Sequence, residues 1–173
     1  MAERSDLIKM KGNPLTLVGN EVKVGDTAPD FTVFNENLEP VKLSSFSGKT
    51  VVIISVPSID TPVCDMEARR FNREAGNLAD DIVILTISMD LPFAQKRWCA
   101  SAGIENIQLL SDYRNASFGN SFGVLIKELG LLARTIFIID GEGKVRYVQY
   151  VKETTDEPDY DEVLTAINKT LKK

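Results

Sequence analysis

The chain has 173 residues, 43% hydrophobic and 26% charged, the balance of an ordinary globular protein long enough to bury a core. A net charge of −5 with no long basic run argues against a nucleic-acid or anionic-membrane surface. There is no histidine, and the only cysteines are Cys64 and Cys99. That composition removes Cys-His and Ser-His-Asp nucleophiles, histidine-ligated haem, His-containing zinc sites and any four-cysteine metal site within one chain.

Taken in chain order, Leu7–Lys11 and Leu15–Val18 flank Gly12-Asn13-Pro14 and predict a hairpin with its turn in those three residues. Phe31–Phe34 predicts a short strand and Leu43–Phe46 a single helical turn. Val51–Val56 is a continuous β-branched run, the pattern of a strand buried on both faces. Pro57 stops it. Thr61 then suits a helix N-cap and Pro62 the first helical position. Cys64, Ala68, Phe71, Ala75 and Leu78 follow at helical spacing as one apolar face, with Gly76 at its end. Ile82–Ser88 predicts a second buried strand. Asp90, Pro92 and Gly103 bracket a helix that carries Trp98 and Cys99. Ile107–Leu110 predicts a third strand, and Ser111–Gly130 a loop with a broken helix. Thr135–Asp140 and Lys144–Val151 predict a hairpin across Gly141-Glu142-Gly143. Tyr160, Val163, Leu164, Ile167 and Leu171 mark a terminal amphipathic helix.

No internal repeat, low-complexity segment or linker divides the chain, so one domain over residues 1–173 is expected. Helices crossing between buried strands imply an α/β sandwich with a mixed central sheet, and a thioredoxin-like arrangement fits the order best. No apolar leader precedes the first strand, and the longest apolar stretches are too short to span a bilayer, so the expected address is cytoplasmic. A structural disulfide is not expected there. Neither phosphate-binding glycine motif is present, and no cofactor or metal is expected.

With Thr61 as N-cap, Cys64 falls at the third helical position, where orphan N–H groups and the positive end of the helix dipole favour a negative sulfur. Its apolar helix face equally fits a buried, inert thiol. Cys99 lies 35 positions later, so the pair is not a C-x-x-C dithiol; the two could close a disulfide only if the helix starts loosen, and taken alone Cys99 reads first as a helix-face thiol packed beside Trp98. Arg134, at the start of an apolar strand, reads as a solvated strand end or as a guanidinium that stabilises a thiolate and a leaving oxygen. Thr61 by itself reads as a cap.

Together these residues resemble the peroxiredoxin family, whose signature is a proline, three residues, Thr or Ser, two residues and a peroxide-attacking cysteine. Here it is Pro57-Ser-Ile-Asp-Thr61-Pro-Val-Cys64. The resemblance narrows to the atypical two-cysteine branch, the bacterial thiol peroxidases. It is carried also by Gly12-Asn-Pro-Leu-Thr, Asp90-Leu-Pro-Phe-Ala-Gln-Lys-Arg-Trp-Cys99, Arg114-Asn115 and Thr155-Asp-Glu-Pro-Asp-Tyr160, across nearly the whole chain. Pro62 and Trp98 stand as local variants. The resemblance implies that Cys64 attacks the peroxide and becomes a sulfenic acid, with Thr61 orienting peroxide and thiolate. It implies that Arg134 holds the thiolate and leaving oxygen, and that Pro57 shields the pocket. Cys99 would be the resolving cysteine, closing an intrachain disulfide. The first turns around both cysteines would unwind in each cycle. The resemblance further implies an apolar pocket accepting hydrogen peroxide and organic hydroperoxides, recycling by thioredoxin, and a homodimer. A thiol–disulfide oxidoreductase, a thiol-based redox sensor and an inert interaction module on the same fold are the alternatives.

Overall fold

The computed structural model describes residues 1–171. β1 (Glu3–Met10) and β2 (Asn13–Val18) form the expected antiparallel hairpin. Its turn is Lys11-Gly12, both at positive φ (50° and 80°), as a two-residue hairpin turn of this twist requires. Asn13 and Pro14 therefore open β2 instead of forming the turn, and a proline is tolerated at a strand start. β3 (Thr32–Phe34) and β4 (Pro40–Lys42) lead to a single 3₁₀ turn over Leu43–Phe46. Then come β5 (Thr50–Ser55), α1 (Pro62–Ala75), β6 (Ile82–Ser88), α2 (Pro92–Ala102) and β7 (Gln108–Ser111). The segment expected to be a loop with a broken helix holds the short α3 (Ser117–Ser121) and also β8 (Leu125–Ile126), followed by β9 (Leu131–Leu132). β10 (Thr135–Ile139), β11 (Val145–Tyr150) and α4 (Tyr160–Leu171) complete the order.

Seven strands form a mixed sheet in the order β11-β10-β5-β6-β7-β3-β4, with β5, β6 and β7 parallel and the other pairs antiparallel. α1 and α2 are the crossovers between the parallel strands, which is the α/β sandwich the element order predicts. Every residue of β5 is buried, because both faces of the sheet are covered. Side chains alternate across it. Val52, Ile54 and Val56 pack with Ile136 and Ile138 against Cys64, Ala68 and Phe71 of α1 and Val163 and Ile167 of α4. Val51, Ile53, Phe137 and Ile139 face the other core, with Phe31, Phe118, Phe122 and the hairpin residues Ile8, Leu15 and Leu17. No helix among the described residues is long and apolar enough to cross a membrane.

Two features of this frame decide where functional groups can meet. The antiparallel register pairs Thr135 with Ser55, so the residue before β10 lies beside the end of β5, where the chain turns into α1. The other is the hairpin, which forms a separate four-stranded sheet in the order β1-β2-β8-β9. It also braces the segment after β11: Lys9 N–H donates to the Lys152 carbonyl at 2.6 Å, and Thr154 N–H to the Lys9 carbonyl at 2.8 Å. The Glu153 carboxylate accepts from the turn N–H groups of Lys11 and Gly12 at 2.8 and 3.1 Å.

Candidate active site

The site is built on the turn between β5 and α1. Pro57, which is buried, ends the strand because it has no N–H to continue the ladder. The following residues are pinned from the next strand. Asp90, just after β6, accepts from Ser58 Oγ at 2.7 Å and from Ile59 N–H at 2.8 Å. Thr61 is the N-cap of α1, with extended backbone and with its Oγ1 accepting from Cys64 N–H at 3.3 Å. The same hydroxyl donates to the Ser58 carbonyl at 3.0 Å. Pro62 takes the first helical position, where its missing N–H costs nothing. Cys64 therefore sits in the first turn of α1, at the positive end of the helix.

Cys64 is wholly buried, at 0% exposure. The apolar pocket expected around it is closed, its walls packed by the core that α1 shares with β5 and β10. Arg134, 2% exposed, is no solvated strand end. It continues the alternation of Ile138 and Ile136 and so projects onto the face covered by α1. Ser55 Oγ fixes the backbone there, donating to the Ala133 carbonyl at 2.7 Å and bonding Thr135 Oγ1.

The guanidinium makes three contacts. Nη2 donates to Cys64 Sγ at 3.2 Å, Nη1 to Glu67 Oε2 at 2.6 Å, and Nε to the Thr154 carbonyl at 3.1 Å. The planar fork of arginine suits this division among separate acceptors. Thr154 belongs to the segment braced by the hairpin, so the N-terminal sheet holds one side of Arg134. Burial works against the charge of Arg134, but Glu67 and Cys64 together hold its pKa above the ordinary value.

Glu67 is the residue that sequence reasoning missed. It is wholly buried, three residues after Cys64 on the same helix face, and its Oε1 has no hydrogen-bond partner among the described residues. Burial pushes its carboxyl up to about 7, against the pull of Arg134 and with a smaller push from Glu157. The signal was present in the sequence: a charge at position i+3 of an otherwise apolar stripe either disrupts the helix face or is paired.

Cys99 does not join this cluster. It occupies the C-terminal part of α2, and its carbonyl accepts from the backbone N–H of Gly103 and of Ile104 as the helix ends. The expectation that it lies in a first helical turn is thus corrected: Pro92 already holds the first position of α2, two turns earlier. Cys64 and Cys99 are both free thiols. Cys99 is half-buried in a recess of about 210 Å³ that includes Asn35, Glu36 and Lys96. Burial, and then the charge of Glu36, push its thiol up to about 11.

A thioredoxin-like sheet carrying a thiol and a guanidinium at a helix start defines a redoxin-type oxidoreductase. The Redoxin family model matches residues 23–164, and the chain belongs to that family. It is 56% identical over 164 residues to the thiol peroxidase of Halalkalibacterium halodurans, covering 95% of this chain and 98% of that one. It is 53% identical over 165 residues to the thiol peroxidase of Bacillus subtilis, again covering 95% and 98%. The crystal structure of a peroxiredoxin-like protein from Aquifex aeolicus superposes with a TM-score of 0.90 at 45% identity, covering 96% of this chain and 97% of that one. These likenesses establish the activity as that of a thiol peroxidase, an oxidoreductase of the peroxiredoxin type.

Proposed function

We propose that Cys64 reduces hydrogen peroxide and organic hydroperoxides by direct attack, and that Cys99 resolves the product as an intrachain disulfide. The observation that carries the reading is the Arg134 Nη2 to Cys64 Sγ hydrogen bond at 3.2 Å in a buried site. A fixed cation beside the sulfur favours the thiolate, the nucleophilic form, and stabilises negative charge as it passes to oxygen. The sulfur attacks the terminal peroxide oxygen, the S–O bond forms as the O–O bond breaks, and the leaving oxygen takes up a proton as water or an alcohol. Cys64 is oxidised by two electrons to the sulfenic acid. Thr61 orients the first turn through its cap, and its Oγ1, whose proton goes to the Ser58 carbonyl, keeps a lone pair that can accept from the peroxide O–H. Pro57 shields the strand side of the site. Because Cys64 is fully buried, peroxide reaches it only when the Pro57–Thr61 turn or the first turn of α1 moves aside.

In the second step the Cys99 sulfur attacks Cys64, forming the S–S bond and releasing the sulfenic oxygen as water. A dithiol partner of the thioredoxin type then returns both cysteines to thiols. A cytoplasmic location suits two thiols that are both free. A homodimer is supported by the exposed apolar side chains Met66, Leu91 and Phe93 on the elements that frame the site, 48%, 52% and 65% exposed.

Peptide mapping after one equivalent of peroxide tests the pair. The expected product is a single Cys64–Cys99 linkage within each chain. A Cys64–Cys64 linkage between chains, or a stable sulfenic acid with Cys99 still reduced, would contradict it.

A further inference from the structure

The two cysteine-bearing helices are tied together through the residues beside the cysteines. Trp98, immediately before Cys99, donates its indole N–H to Asp65, immediately after Cys64, at 2.8 Å. Arg69, one turn further along α1, completes the contact. Its Nε lies 3.1 Å from the same Asp65 oxygen, and its guanidinium is 5.6 Å from the centre of the Trp98 ring. Successive helix residues point about 100° apart. The orientation of α2 that turns Trp98 toward α1 therefore turns Cys99 aside, into the recess with Asn35, Glu36 and Lys96. A thiol with its pKa pushed up to about 11 there is almost entirely protonated at neutral pH and a poor nucleophile.

We propose that the Trp98–Asp65 hydrogen bond is a latch on the resolving step: while it is closed Cys99 is stored away from Cys64, and it must open before the disulfide can form. The inference rests on the reading of Cys99 as the resolving cysteine. Bringing Cys99 over α1 needs α2 to rotate or unwind, and either motion pulls Trp98 off Asp65. Trp98 is thus a positioning residue that acts through α2. The latch sets the lifetime of the sulfenic acid, and with it the peroxide level at which a second peroxide converts Cys64 to the sulfinic acid.

The test is Trp98→Phe, which keeps an aromatic ring of similar helix propensity beside Arg69 while removing the N–H donor together with part of the ring area. After a peroxide pulse, sulfenic acid and disulfide are quantified separately by quenched-flow mass spectrometry. A hydrogen bond to a charged acceptor is strong enough that its loss should speed disulfide formation about tenfold. Sulfenic acid formation should keep the parent rate, and sulfinic acid at a given peroxide concentration should fall. Disulfide formation at the parent rate in Trp98→Phe overturns the latch and leaves Cys99 as the resolving residue. No Cys64–Cys99 disulfide in the parent overturns both. A second measurement stands even where the variant fails to fold. Trp98 is the sole tryptophan, so its emission reads the contact in the unaltered protein. It should change as the disulfide forms, but not when Cys99→Ser is oxidised only to the sulfenic acid. An emission unchanged by disulfide formation also overturns the latch.

Discussion

Replacing Arg134 by methionine should slow the reaction of Cys64 with peroxide by about 10²–10³-fold, the usual cost of removing one preorganised donor from a developing negative charge. The expectation follows from a guanidinium 3.2 Å from Cys64 Sγ, with no other cationic donor on that sulfur among the described residues. The same change strands Glu67. Breaking a buried ion pair by removing one partner typically costs 3–5 kcal/mol. Here about 3 kcal/mol is expected, because a carboxyl already pushed up to about 7 can take a proton when its cation is lost. Chemical denaturation and stopped-flow peroxide kinetics read the two effects separately. Adding Glu67→Met to Arg134→Met should recover most of the stability, since an apolar pair replaces a buried ionic one, while the rate stays low. A double variant that regained peroxide reactivity would show that Arg134 serves only to neutralise Glu67.

The second large effect is at Cys99. Cys99→Ser should react with its first equivalent of peroxide at the parent rate and then stop. Turnover with thioredoxin should fall to background, since no disulfide is presented to the dithiol. The sulfenic acid should accumulate and pass to the sulfinic acid under excess peroxide. Electrospray mass spectra with and without a sulfenic acid trap distinguish these species. Undiminished steady-state turnover would mean that thioredoxin or another thiol reduces the sulfenic acid directly, and Cys99 would lose its role.

Much of this architecture can be read from local patterns. Thr61-Pro62 before an apolar helical stripe marks the start of α1 because the cap and the missing proline N–H are both local effects. The Ile82–Ser88 strand and the 3₁₀ turn at Leu43–Phe46 appear with the expected bounds. β8 and β9 escape such reading, since strands of two residues carry no period, and their pairing with the N-terminal hairpin is a tertiary event. Of the site, spacing places Thr61 at the cap and Cys64 in the first turn of α1, while their chemical roles are implied only by the resemblance to the peroxiredoxins. Arg134 is ambiguous until the register with β5 places it, although its alternation with Ile136 and Ile138 points to the buried face. Glu67 is marked by its place on the apolar stripe of α1, but its partner is not: only the arrival of Arg134 from another strand makes its burial tolerable. The Cys99 recess depends on the turn carrying Asn35 and Glu36, which is distant in sequence, so neither its storage nor its raised pKa is written near Cys99.

The central claim is that one sulfur, Cys64, does the chemistry. The measurement that meets it most directly is hydroperoxide consumption with thioredoxin, thioredoxin reductase and NADPH, comparing the parent with Cys64→Ser. The account predicts sustained turnover in the parent and only the background rate in the variant, whose fold is retained because serine is slightly smaller than cysteine. Peroxide consumption by Cys64→Ser at the parent rate would contradict it and move the chemistry to another residue.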